Sequence, residues 1–266
     1  FNQPLNNWDV SSVTSMFRMF GNASVFNQPL DNWDVSNVTD MTGMFKRSNF
    51  NQPLGNWNTS SVTTMEQLFY NCPYNQPLNT WDVSNVTNMV SMFRSNNSYN
   101  HPLDNWDTGN VTNMDDMFGY SSFNHSINNW DVSSVTQMQS MFSSSDYDQP
   151  LNSWDVSNVE FMGGMFDFSV FNQPLGNWDV SNVTGMIAMF RNASFNQDIS
   201  DWDVSSVSGP GFNAMFNNSD FNQDISSWTF NESDLDDFIK NSEMDSQNYD
   251  LLLGRFVQLG LEDGTL

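Results

Sequence analysis

Ten tryptophans, Trp8, Trp33, Trp57, Trp81, Trp106, Trp130, Trp154, Trp178, Trp202 and Trp228, recur at spacings of 24 to 26 residues. Most open a close copy of one phrase, which reads WDVSNVTDMTGMF from Trp33 to Phe45. An aromatic residue lies seven places before every tryptophan, from Phe1 and Phe26 to Phe221, and a Phe lies twelve places after each of the first eight. A fixed period of this length signals stacked repeats that share one core. Length varies only locally. The 25-residue units carry one extra residue, as between Phe20 and Phe26 or Phe93 and Tyr99, and the 26-residue unit holds two more within SVSGPGFNAMF at 206–216. Insertions confined to loops are how a repeat stack varies.

Within a unit, Trp8 and Val10 alternate with Asn7, Asp9 and Ser11, the period of a short strand with one buried face. Val13, Met16, Met19 and Phe20 then recur at steps of three and four, the period of a short amphipathic helix, with Ser11 or Ser12 placed as its cap. The expected fold is therefore α/β: a right-handed, leucine-rich-repeat-like solenoid of about ten repeats, each with one short strand and one short helix. It spans 1–229, and 230–266 form a helical C-terminal cap. In that cap SDLDDFIKNSEM and SQNYDLLLGRFVQLGLEDG read as two helices, capped by Ser233 and by Asp245 or Ser246. Their apolar residues, such as Phe238, Leu252 and Phe256, are expected to cover the last coil. At the other end Phe1, Leu5 and Trp8 leave a coil edge open. Either further repeats precede it or another chain or domain packs there. Gly209, Pro210 and Gly211 interrupt the expected helix, predicting a kink or altered coil.

The stretch FNQPLNNWDVSSVTSMF resembles the repeat of the BspA-like leucine-rich-repeat surface proteins, in their Met- and Trp-rich variant. The resemblance covers residues 1 to about 229. It implies a secreted or surface-anchored solenoid that contacts partner molecules, without enzymatic activity.

Composition narrows the function. With 7 Lys and Arg against 31 Asp and Glu, the net charge of −24 repels nucleic acid and anionic lipid. The 23 Phe, 17 Met and 10 Trp supply a core, so this acidity does not mean disorder. Cys72 is the single cysteine, which excludes an intrachain disulfide and a multi-cysteine zinc site. No stretch approaches a membrane span. The opening FNQPL is in phase with the repeat and is no signal peptide, so a cut or processed N-terminus is expected.

Stacking turns each repeat position into a column. The acidic column comprises Asp9, Asp34, Asp82, Asp107, Asp131, Asp155, Asp179 and Asp203, broken by Asn58 and Thr229. One reading makes it a contact face for basic or sugar groups, or for Ca²⁺ with Asp, Asn and Ser oxygens. The other gives each Asp to local hydrogen bonds at a turn. Flanking columns of Asn (Asn7, Asn32, Asn56, Asn105) and Ser (Ser11, Ser36, Ser60, Ser84) extend this polar face. It lacks the aromatic or Arg anchors of a compact protein interface. The Asn of FNQ is expected to form a buried ladder bonding the backbone of adjacent coils. His101 and His125 replace the Gln of FNQ in adjacent units, as surface substitutes or as a two-His metal pair. Among the Asn-x-Ser/Thr sequons, Asn22, Asn96, Asn192 and Asn217 are the expected accessible glycosylation sites. No catalytic triad, phosphate loop or metalloprotease motif appears. The expected function is adhesion or recognition of a protein or polysaccharide at a surface, with no cofactor beyond a possible Ca²⁺. The alternative is a structural spacer or coat subunit joined end to end through open coil edges.

Overall fold

The computed structural model describes residues 1–231 and 234–261. Its coils stack one on the next around a single apolar cluster that runs from Leu5 to Phe256. The repeated Leu, Trp, Val, Met and Phe positions line this interior, and from Phe26 onward most have no exposed surface. Two aromatic columns run its length beside the tryptophans. Phe45, Phe69, Phe93 and Phe118 stack on one another at centroid distances of 5.7 Å. The column before the tryptophans, represented by Phe50, Tyr74 and Tyr99, repeats at 6.3 to 6.4 Å. The two columns touch within each turn, as Phe45 and Phe50 do at 4.1 Å. Offset stacking of this kind adds to the gain from burial.

The coil itself differs from the expected one. Among the described residues there is one α-helix, one 3₁₀ turn and no strand longer than an isolated bridge. Trp33 and Val38 donate their N–H groups to Leu30 O and Val35 O, so the expected strand is a pair of tight turns. The parallel bridges lie instead within the expected helix, from Ser15–Asp40 through Asn113–Gln137 to Phe161–Gly185. After each bridge the backbone alternates. Met16, Arg18, Phe20 and Asn22 donate to Asp40, Thr42, Met44 and Lys46 of the next coil at 2.7 to 2.9 Å. Met19, Gly21 and Ala23 donate three residues back along their own coil.

Alternation of this kind requires left-handed residues, and they occur twice in every coil: Arg18 and Asn22 at φ 50° and 60°, Ala188 and Asn192 both at φ 53°. An α-helix needs φ near −63° throughout, so these residues exclude one. A left-handed non-glycine residue costs about 1–2 kcal/mol, here offset by the lateral bonds. The strand-plus-helix, leucine-rich-repeat-like α/β assignment is thus overturned. The steps of three and four that suggested a helix also fit successive three-residue turns.

Further corrections follow at the C-terminal end. The segment expected as the first cap helix is turned, and it continues the stack: Ala214, Phe216 and Asn218 donate to Asp236 O, Phe238 O and Lys240 O. Its expected cap, Ser233, lies outside the described residues. The second expected helix is present as α1, Ser246–Leu259, capped by Asp245, which accepts from Asn248 N. It closes that edge of the stack through Phe256 on Phe230 at 5.1 Å and Arg255 Nε on Trp228 O at 2.8 Å. The interruption at 209–211 is absorbed without loss of register. Pro210–Phe212 form the 3₁₀ turn, and Met186 N again meets Gly211 O. Glycine is needed there, since a Cβ on Gly211 would lie 2.5 Å from Val207 Cγ1 and 3.0 Å from Thr184 O.

Candidate functional site

All eight members of the aspartate column face solvent, one per coil. Each carboxylate is set by the residue two places on. Ser133 donates to Asp131 Oδ1 through its N–H at 3.0 Å and its hydroxyl at 2.7 Å. Ser11, Ser36, Ser84 and Ser157 treat Asp9, Asp34, Asp82 and Asp155 in the same way. Gly109, Ser181 and Ser205 donate backbone N–H groups to Asp107, Asp179 and Asp203. Asn58 occupies this column and makes the same two bonds with Ser60. The turn therefore needs the side-chain oxygen and not the charge, and the local role and an outward contact role are compatible.

The serine hydroxyl, with the serine N–H second, holds the Asp131 carboxyl below the ordinary aspartate range. Asp9, Asp34, Asp82, Asp179 and Asp203 are lowered by their own serines in the same way. A pKa lowered on folding contributes stability above the unfolded value of about 3.9, and that stability is lost as pH falls through the folded value. Replacing Ser133 with Ala should raise the Asp131 pKa toward the ordinary value in a ¹³C NMR titration. An unmoved titration would show that the hydroxyl is not the cause.

Most other polar columns hold the stack together. Each FNQ Asn accepts the N–H of its counterpart one coil on, as Asn51 Oδ1 does from Asn75 N at 2.8 Å. The ladder forms as expected but is not buried: Asn51 is half-buried, and Asn75 and Asn100 are exposed. The Trp column donates as well. Trp130 Nε1 meets Leu103 O at 3.0 Å, and the same bond recurs from Trp33 to Trp228. Asn37, Asn85 and Asn110 cap the carbonyls of Ser11, Ser60 and Ser84. His101 and His125 take the Gln place, each with Nε2 on a carbonyl of the preceding coil at 3.1 and 2.8 Å.

Two of the four expected glycosylation sites are misplaced. Asn96 is fully buried, with Nδ2 on Tyr74 O at 3.0 Å, and Asn217 is buried too. Asn22 is exposed and Asn192 half-buried. Cys72 is buried beside Phe50 O, and burial pushes its thiol up to about 11, which suits a core residue and not a nucleophile. Among the described residues no three His, Cys, Asp or Glu groups gather as a metal set. Ca²⁺ takes roughly 6–8 oxygens, and each Asp of the column already spends one of its oxygens within its own coil.

Sequence reasoning missed a second face, on the turns that follow the bridge column. It carries Arg18, Lys46, Arg47, Arg94, Arg191 and Lys240, six of the seven cations in the chain. Aromatic rings hold five of them: Arg18 over Phe17, Lys46 and Arg47 over Tyr70, Arg94 over Tyr120, Arg191 over Phe168. Their offsets from the preceding tryptophan vary between 10 and 14 residues, so no fixed motif marks them. Only the stacking shows that they share one face.

The chain is thus a repeat protein built of stacked coils, with an acidic column on one face and six of its seven cations on another. It belongs to the family described as Mycoplasma protein of unknown function, DUF285, which matches residues 1–74, 47–147, 70–169 and 144–251. The four overlapping matches reflect the repeat. No curated protein and no solved structure matches the chain. No helix among the described residues is long and apolar enough to cross a membrane.

Proposed function

We propose that the chain is a non-enzymatic recognition or adhesion module that acts outside the cell or at its surface and meets a repeating ligand through the aspartate column. The observation that carries this reading is the column itself: exposed carboxylates recurring coil after coil, each set by the same two-residue turn. With a coil rise of about 4.8 Å, such an array offers many equivalent weak contacts and no single unique pocket. A polysaccharide, which itself repeats, suits it better than a compact protein. The resemblance to BspA-like surface proteins supports the surface location, although their strand-and-helix coil is no part of the proposal. Glycans on Asn22 or Asn192 would be compatible with it.

The alternative, assembly through coil edges, is limited on the C-terminal side, where α1 packs on the last coil. Asn58 supplies the test of the leading reading, since it shows that Asn keeps the turn. Changing Asp82, Asp107, Asp131 and Asp155 together to Asn should weaken binding to a panel of immobilised polysaccharides at least about tenfold, a change of ~1.4 kcal/mol. The melting temperature should stay within a few degrees. Undiminished binding by the folded variant would remove the column from the site.

A further inference from the structure

The six cations on the turn face fall into two groups. Arg94 pairs with Asp116, Arg191 with Asp167 at 2.6 Å, and Lys240 with Asp237 at 2.9 Å. Arg18, Lys46 and Arg47 have no carboxylate within ion-pair distance among the described residues. They sit on the first two coils and surround one hollow of about 120 Å³, completed by Gly21 and Asn22. In a chain of net charge −24, with more than four acids for every base, three cations left together without a counter-charge require an explanation.

Their convergence is built into the fold. Arg18 lies across the next coil, where its Cγ would be 3.1 Å from a Cβ on Gly43. That position is left-handed, φ +59°, so glycine both adopts the conformation and clears the path of the arginine. Lys46 and Arg47 are held from the third coil, with Nζ and Cζ at 4.9 and 5.6 Å from the Tyr70 ring centre, and Lys46 Nζ donates to Gln67 Oε1 at 2.6 Å. The side chains of Arg18 and Arg47 donate no hydrogen bond to any described residue, so their guanidinium forks remain available to a ligand. At physiological salt, fields are screened beyond about 8 Å. Among the nearby acids, Asp40 accepts from Ser15 and Thr42, and Glu66 accepts from Asn88.

We propose that Arg18, Lys46 and Arg47 form an anion-binding site that takes one tetrahedral oxyanion, sulfate or phosphate. The oxyanion would be either a free ion or the ester group of a larger ligand on this face. Guanidinium forks match such oxygens in bidentate fashion, while the lysine adds a point charge. The site lies on a different column from Asp82, Asp107, Asp131 and Asp155, so this proposal and the one above fail independently.

The test compares the protein with its Arg18→Gln/Lys46→Gln/Arg47→Gln variant by calorimetric titration with sodium sulfate and sodium phosphate at fixed ionic strength. A second comparison uses a sulfated oligosaccharide and its desulfated form. Because Gly43, Tyr70 and all backbone contacts remain, the variant should fold, and circular dichroism checks this. A Lys46→Gln/Arg47→Gln variant serves if it does not. Binding should weaken at least about tenfold in the variant, as expected when charge-assisted hydrogen bonds are lost. Binding of the inorganic ions alone identifies the free ion. Tighter binding of the sulfated oligosaccharide, abolished by desulfation, identifies the ester. Sulfate also stabilises proteins without a site, by exclusion from their surface. Equal responses of protein and variant to every probe would overturn the proposal.

Discussion

Replacing Phe118 with Ala should lower the unfolding free energy by about 3–5 kcal/mol, read as a fall in the urea midpoint. Phe118 has no exposed surface and sits in the middle of the stack. Its ring lies 5.7 Å from Phe93, 5.9 Å from Phe142 and 4.3 Å from Phe123. The backbone bond from Phe118 N to Met141 O survives the substitution, so the loss belongs to the side chain. Collapse around the cavity is hindered, because the backbone and asparagine ladders fix the distance between coils. The residual void should therefore persist, and the cost should fall toward the upper end of the range. A further consequence follows from the one-dimensional order of the stack, in which each coil contacts only its neighbours. A weakened central interface should let the two halves unfold at different urea concentrations, which fluorescence and circular dichroism would report as non-coincident transitions. A single coincident transition with a loss under about 1 kcal/mol would show that the aromatic columns contribute little.

The core was legible in the sequence because burial follows the repeat period whatever the backbone does. Trp33, Val35, Val38, Met41, Met44 and Phe45 are all buried, in the order that their spacing implied. The Asn ladder was legible for the same reason, since a uniform polar column beside a core must satisfy backbone groups. The backbone path was not. Steps of three and four fit an α-helix and fit successive tight turns equally well, and only the left-handed residues distinguish the two. Glycine normally announces such residues, yet in this chain Arg18, Gln67, Asp116, Phe168 and Ala188 take that conformation. What holds them there is the neighbouring coil, a long-range cause with no local signature. The cation cluster was hidden likewise: Arg18 and Arg47 are 29 residues apart and come together only through the stack. Asn96 looked accessible because its position reads as a loop, but that column turns inward to cap Tyr74 O.

The tryptophan that opens the repeated phrase should matter for its indole N–H as well as for its ring. Trp130→Phe should cost about 1–3 kcal/mol, because it keeps an aromatic ring but removes the Nε1–H that meets Leu103 O at 3.0 Å. The orphaned carbonyl lies in the interior, where Trp130 is 3% exposed and water cannot replace the donor. The same change at Trp154, which donates to Ile127 O at 3.0 Å, should cost as much. A loss under about 0.5 kcal/mol at both sites would show that the indole bond contributes little. The expected loss also accounts for the persistence of tryptophan down the column, where phenylalanine could fill much of the space. Each indole joins its coil to the backbone of the one before, which a phenyl ring has no donor to do.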